Sequence, residues 1–283
     1  MSEVTRPALR YHGGKWMLAP WIIQHFPEHR VYTEPFGGAA SVLLRKPRAK
    51  LVEIYNELDP EIVNLFRVLR NPEQSEKLQH LLRHTPYART EFELSYEQAA
   101  DPVEQARRTC ARSFMGFGSD TASGAASGFR ANGNRQSAHP ARDWSNYPAA
   151  LAGMLERLTG VVIENRQATD VILQHDSPQT LHYCDPPYVL DTRSSSVTRS
   201  GKGYRHEMTD ADHAHLAQVL HECAGMVVLS GYDSPLYNEL YAGWERSTRR
   251  ALADGALERT EVIWLNPACS AALHQNDLFK EIA

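Results

Sequence analysis

The sequence predicts an α/β protein: a mostly parallel sheet with helices on both faces, interrupted between residues 71 and 150 by a mainly helical insertion. Three observations predict it. Short apolar strands alternate with amphipathic helical segments on both sides of the interruption. From Asn71 to about Tyr96 the chain is charged and helical in pattern, with no strand signal. The strand-like run Leu181-His182-Tyr183-Cys184 ends in Asp185-Pro186-Pro187-Tyr188. Two consecutive prolines, with fixed φ and no N–H to give, stop that strand and leave its last carboxylate and carbonyl facing outward. Ligands of open α/β sheets lie beyond the carboxyl ends of the strands, so Asp185 and Tyr188 mark the expected site.

The elements follow in order. Tyr11-His12-Gly13-Gly14-Lys15 is a turn, and an amphipathic segment runs from Lys15 through Trp21-Ile22-Ile23 to Phe26, where Pro27 stops it. Arg30 to Thr33 is a short strand, Glu34-Pro35-Phe36-Gly37-Gly38-Ala39-Ala40 a tight turn, and Ser41-Val42-Leu43-Leu44 the opening of a helix. A second strand, Lys50 to Tyr55, leads into Asn56-Glu57-Leu58-Asp59-Pro60 and a helix with apolar Ile62, Leu65, Phe66 and Leu69. Within the insertion, Asp101-Pro102 caps a helix through Cys110 and Phe114, which opens into a Gly-, Ala- and Ser-rich stretch reaching Gly133. Aromatics there (Phe114, Phe117, Phe129, Trp144, Tyr147) alternate with arginines, a pattern that suits stacking and phosphate contact and equally suits packing. An amphipathic helix after Pro148 and the strand Gly160 to Glu164 resume the alternation. A helix over Thr169 to Gln174, the strand ending at Asp185, a helix from Thr209 to Cys223 and the strand Met226 to Ser230 continue it. The strand Glu261 to Leu265 closes it, paired with the Trp244 to Arg250 segment.

With 283 residues the chain is long enough for one large domain carrying an insertion, with residues 1–70 and 151–283 forming the catalytic domain. Cys110, Cys184, Cys223 and Cys269 are far apart, without CxxC or clustered histidines, so neither a disulfide framework nor a metal site is expected. The N-terminal residues lack an apolar signal core and no run approaches a membrane span, which gives the expectation of a soluble, cytoplasmic protein. Net charge is −4, yet residues 103–150 carry +3 and residues 191–206 another +3, leaving −10 for the rest. Basic charge concentrated in two Gly/Ser-rich segments of an acidic chain reads as a polyanion footprint.

A glycine turn after the first strand with a carboxylate past the second suits an adenosine-type ligand, whose ribose hydroxyls the carboxylate accepts. Glu57 lies twenty residues past Gly37. Gly-Gly-Ala-Ala is not GxGxxG, so a pyrophosphate is not supported.

Tyr11 to Lys15, Glu34 to Val42 and Asp185 to Tyr188, in that order, resemble the Dam-type (D12 class) DNA adenine-N6 methyltransferases, as do Val228 to Tyr232 and the phage-like tail Arg259 to Trp264. The resemblance implies a Rossmann-like, class I S-adenosylmethionine-dependent fold with an inserted target-recognition domain at 71–150. It implies S-adenosyl-L-methionine as cofactor, held by Tyr11, Lys15, Phe36, Gly38, Glu57 and Asp185. Asp185, Pro186 and Tyr188 become the catalytic set, with Tyr188 stacking on a flipped-out adenine of duplex DNA. Phosphate contact falls to Arg107, Arg108, Arg112, Arg130, Arg135, Arg199 and Lys202, and no metal is required. Three positions depart from the family: Ala40 replaces a second glycine, Glu57 the usual Asp, and Gln167 an acidic residue that meets the cofactor's adenine. Other readings are methylation of RNA adenine or of N4 of cytosine, and a non-catalytic nucleic-acid binder of the same fold. The role is that of an orphan enzyme or of a restriction-modification partner.

Overall fold

The computed structural model describes residues 4–118, 124, 126–131, 139–192, 205–252 and 258–281. Among the described residues seven strands form one sheet: β1 (Val31–Glu34), β2 (Val52–Asn56), β3 (Val161–Glu164), β4 (Thr180–Cys184), β5 (Met226–Tyr232), β6 (Glu245–Leu252) and β7 (Glu258–Leu265). Their order is β3-β2-β1-β4-β5-β7-β6. The first five in space are parallel, and β7 runs antiparallel between β5 and β6. Strand order reverses at β1, whose Thr33 lies opposite Ile54 of β2 and His182 of β4. That reversal opens the crevice in which ligands of such sheets sit.

Side chains alternate between two cores, as the two-residue period of a strand requires. Tyr183, Val228, Ile263 and Leu265 enter one cluster, and Cys184, Val227, Leu229, Val262 and Trp264 enter the other. Both faces are therefore covered, which is why these parallel strands read as unbroken apolar runs.

The helices are α1 (Ala19–Ile23), α2 (Pro60–Arg70), α3 (Pro72–His84), α4 (Arg89–Leu94), α5 (Pro102–Met115), α6 (Pro140–Leu158), α7 (Ala168–His175), α8 (Asp210–Glu222), α9 (Pro235–Leu240) and α10 (Pro267–Glu281). Proline opens α2, α3 and α5, where its missing N–H costs nothing, and Asp59, Asn71 and Asp101 cap them through side-chain oxygens. Thr209 and Asp212 form a reciprocal capping box on α8. Helices α3 to α6 share a core with α2: Leu65, Phe66, Leu78, Leu82, Phe114 and Leu151 belong to one cluster.

Two expectations change. No helix follows the glycine turn. Leu44 N–H to Ala40 O and Lys46 N–H to Val42 O close a single turn. Pro47 then halts it, since the residue before proline is pushed out of the α region. The helix expected after Pro148 begins at Pro140 and carries Pro148 inside it, so it runs through residue 150 without a break. Burial of Trp144, Tyr147, Leu151 and Met154 on one face holds it together.

Candidate active site

A cavity of about 330 Å³ opens at the carboxyl ends of β1 and β4, the place the strand reversal marks. All six residues expected to hold a cofactor line it: Tyr11, Lys15, Phe36, Gly38, Glu57 and Asp185. Gln167, at the start of α7, lines it as well.

The glycine turn forms the cavity floor because nothing larger fits. A Cβ on Gly37 would lie 2.2 Å from the Tyr55 ring and 2.9 Å from the Asn56 carbonyl. Gly38 takes φ +48 and Ala40 φ +53, the left-handed region. Ala40 is fully buried and is not among the cavity-lining residues, so its methyl does not crowd a ligand. Tyr55 closes the turn from below, its hydroxyl donating to Gly38 O at 2.6 Å.

Glu57 braces the same turn. It accepts from Gly38 N at 2.8 Å, Leu58 N at 2.8 Å and Asp59 N at 3.0 Å. A carboxylate has about four lone-pair sites, so one acceptor position remains for a ligand hydroxyl. Burial raises its pKa and these amide bonds oppose the rise.

Asp185 is the centre of charge. Lys15 Nζ lies 3.2 Å from its Oδ1, donates to Gly13 O at 2.9 Å, and sits 4.6 Å above the Tyr188 ring. Burial pushes the Asp185 carboxyl up to about 6, against the pull of Lys15. Glu34 also lines the cavity and is fully enclosed. Burial pushes it up to about 8, and Tyr32 donates to it at 2.7 Å.

Pro187 lines the cavity, and Pro186 is buried. Tyr188 lies within the protein and not on the cavity wall. It is 7% exposed, its hydroxyl donates to Glu261 at 2.8 Å, and the Tyr232 ring meets it edge-on at 4.5 Å. A base stacking on Tyr188 therefore requires that ring to be uncovered.

The arginines expected at phosphates divide. Arg107, Arg108 and Arg112 are engaged inside the protein. Arg107 pairs with Glu91 and Glu104 at 2.7 Å each, Arg108 with Glu104 at 2.8 Å, and Arg112 with Glu61. Their guanidinium groups are engaged by carboxylates of the same chain, so any phosphate contact from α5 would compete with these pairs. Arg130 is half-buried beside the Gly116 to Phe129 bridge. Arg135, Arg199 and Lys202 lie outside the described residues. Among the aromatics, Phe114, Trp144 and Tyr147 pack on one another and only Phe117 is exposed, so packing explains most of the pattern.

Some cavity residues belong to no motif, and Arg205, counted in the basic segment 191–206, turns inward to carboxylates. Arg205 lines the cavity and reaches Asp59 at 2.9 Å and Glu61 at 3.0 Å, and His206, Glu207 and Met208 complete that wall. Away from the cavity, Asp176, His182 and Cys223 bring their ligand atoms within 4.8 Å of one another. Asp176 there accepts from Ala224 N and Gly225 N at 2.8 Å each and from His182 at 3.2 Å, a brace between β4 and β5. Burial pushes the Cys223 thiol up to about 12, which disfavours the thiolate a metal needs.

The model of the family "D12 class N6 adenine-specific DNA methyltransferase" matches residues 11–252. Two relatives named DNA adenine methylase, from Vibrio cholerae serotype O1 strains O395 and El Tor Inaba N16961, are each 25% identical over 269 residues, covering 87% of this chain and 88% of the relative.

Proposed function

From the premise that this chain belongs to the D12 class of N6 adenine-specific DNA methyltransferases, we infer that its cavity holds S-adenosyl-L-methionine and that Asp185 receives a flipped-out adenine of duplex DNA. The observation that carries the reading is the meeting of Lys15, the Gly37-Gly38 turn, Glu57 and Asp185 around one cavity at the strand reversal. The residues fit the cofactor. The volume falls within the range of small-molecule sites, the backbone comes close where only glycine fits, and carboxylates face a ligand that carries positive charge.

Gly38 and Phe36 would lie against the methionine portion, the remaining acceptor position of Glu57 would take the ribose, and Gln167 would meet the adenine edge. The chemistry supplied by S-adenosyl-L-methionine there is an electrophilic methyl carried on a sulfonium.

The protein's own task is to make a poor nucleophile attack. The exocyclic amine of adenine delocalises its lone pair into the ring. Asp185, ionised above pH about 6, accepts one N–H from that amine, and the Pro186 carbonyl accepts the other. Two acceptors favour a tetrahedral nitrogen whose lone pair points at the methyl. As the N–C bond forms, the methyl's bond to sulfur would break with its electron pair left on a neutral thioether, and the amine would lose a proton, which Asp185 can take up and pass to water. Reaching the base requires flipping it from the duplex at a cost of a few kcal/mol. Duplex DNA is the partner, and no helix among the described residues is long and apolar enough to cross a membrane.

Calorimetric titration with S-adenosyl-L-methionine tests the site. Binding to the wild type and a loss of at least about tenfold, roughly 1.4 kcal/mol, in Glu57→Ala is expected, since both the turn and the acceptor are lost. Equal affinity in the two proteins would refute the cavity assignment.

A further inference from the structure

Tyr188 and Glu261 are 73 residues apart in sequence and joined by a 2.8 Å hydrogen bond, and each is 7% exposed. Glu261 lies on β7, opposite Tyr232 of β5, and the Tyr232 ring meets Tyr188 edge-on at 74°. On the Tyr188 ring stands Lys15, which also reaches Asp185. A chain of contacts thus runs from Glu261 through Tyr188 to the carboxylate of the reaction, both by way of Lys15 and directly, since Tyr188 also hydrogen-bonds Asp185.

A carboxylate buried beside another carboxylate is unfavourable unless a donor compensates it. Hydrophobic packing at this point of β7 would be the stabler choice, and its strand neighbours Val262 and Ile263 are apolar. A charged acceptor here secures one thing a hydrophobic residue cannot, the direction of the Tyr188 hydroxyl. Phenol rings held only by packing can turn about their side-chain torsions. One held at its hydroxyl keeps its face under Lys15.

We propose that Glu261 is a positioning residue for methyl transfer: by anchoring the Tyr188 hydroxyl it fixes the ring that holds Lys15 against Asp185, and so the geometry in which the adenine amine is received. The proposal rests on the function inferred above. Its effect belongs to the reaction step, because Glu261 lines no part of the cavity.

A double-mutant cycle on duplex methylation tests it, with turnover and cofactor affinity measured for Glu261→Gln, Tyr188→Phe and the pair. Glu261→Ala is expected to lower kcat on the order of 10- to 100-fold through misplacement of the reacting groups. Glu261→Gln keeps an oxygen that accepts the phenol, so its loss is smaller, and in the Tyr188→Phe background Glu261→Gln should cause no further loss. Cofactor affinity should change less than about threefold, under 0.7 kcal/mol. The acid limb of the kcat profile supplies a readout that packing alone would not move. Among the described residues, the titratable groups coupled to Asp185 are Lys15, Glu34, Tyr183, Cys184, Tyr188, Tyr232 and Glu261. Removing the negative charge of Glu261 should move that limb to lower pH. Multiplicative effects of the two substitutions, or an unmoved acid limb in Glu261→Gln, would overturn the proposal. Both near-isosteric variants preserve volume, so the cycle stands even where Glu261→Ala fails to fold. A wild type that neither binds the cofactor nor methylates DNA would refute the parent function instead.

Discussion

Three small residues in the glycine turn have different reasons to be small. Gly37 is fixed by sterics against Tyr55, Gly38 by its φ and by the Tyr11 ring 2.9 Å from any added Cβ, and Ala40 by enclosure. Gly37→Ala is therefore expected to destabilise by roughly 2–3 kcal/mol or more, by urea unfolding. Ala40→Gly exchanges relief of a left-handed φ for a lost buried methyl and a more flexible unfolded chain, and should change stability by less than about 1 kcal/mol. Asp185 is a second case of local cost. Its carboxyl titrates higher in the folded protein than in the unfolded chain, so its contribution to stability is full below about pH 4 and is lost as pH rises through about 6. Asp185→Asn should raise stability at pH 7.5 by roughly 1–3 kcal/mol relative to its effect at pH 4, while abolishing methyl transfer. On the proposed reading, wild-type turnover should fall as pH drops through about 6, because the protonated acid is a weaker acceptor and can no longer take the amine's proton. These residues were legible in the sequence as a glycine turn and a strand-ending Asp. The neighbours that set their energetics, Tyr55 and Glu261, were not, because they arrive from other strands.

At the scale of the element, α5 shows why charge counts mislead. Its sequence carries three arginines within six positions, and the helix period distributes them among Glu91, Glu104 and Glu61. The Arg112 and Glu61 side chains are 2% and 6% exposed, so this pair joins α5 to α2 inside the core. Arg112→Ala leaves Glu61 as an under-compensated buried charge and is expected to cost about 3–5 kcal/mol, read as a lower urea midpoint. The salt dependence of DNA binding should be unaffected by Arg108→Gln, since that guanidinium already pairs with Glu104. A net charge per segment sums the arginines without their partners, and the partners lie up to 51 residues away. Capping is local and so more legible: Asp101-Pro102 acts within its own first turn, and the structure forms that cap, as it forms the Thr209 and Asp212 box on α8.

Across the whole molecule, the alternation of strands and helices gave the sheet, and the strand reversal at β1 explains why motifs 150 residues apart in the chain share one cavity. Proline ended the strand at Asp185 as expected and also stopped the helix expected at Ser41, where its effect was not anticipated. The cavity wall from Arg205 to Met208 has no motif, and its place follows from ion pairs to Asp59 and Glu61 that only the folded chain brings together. On the proposed reading, the cavity at the strand reversal takes the methyl donor beside Asp185, whose carboxylate receives the adenine amine. Nucleoside mass spectrometry tests it most directly, on unmethylated duplex DNA incubated with the purified protein and isotope-labelled S-adenosyl-L-methionine. Labelled N6-methyladenine is expected with the wild type and none with Asp185→Ala; label in N4-methylcytosine alone, or undiminished N6-methyladenine with Asp185→Ala, would contradict the proposed function.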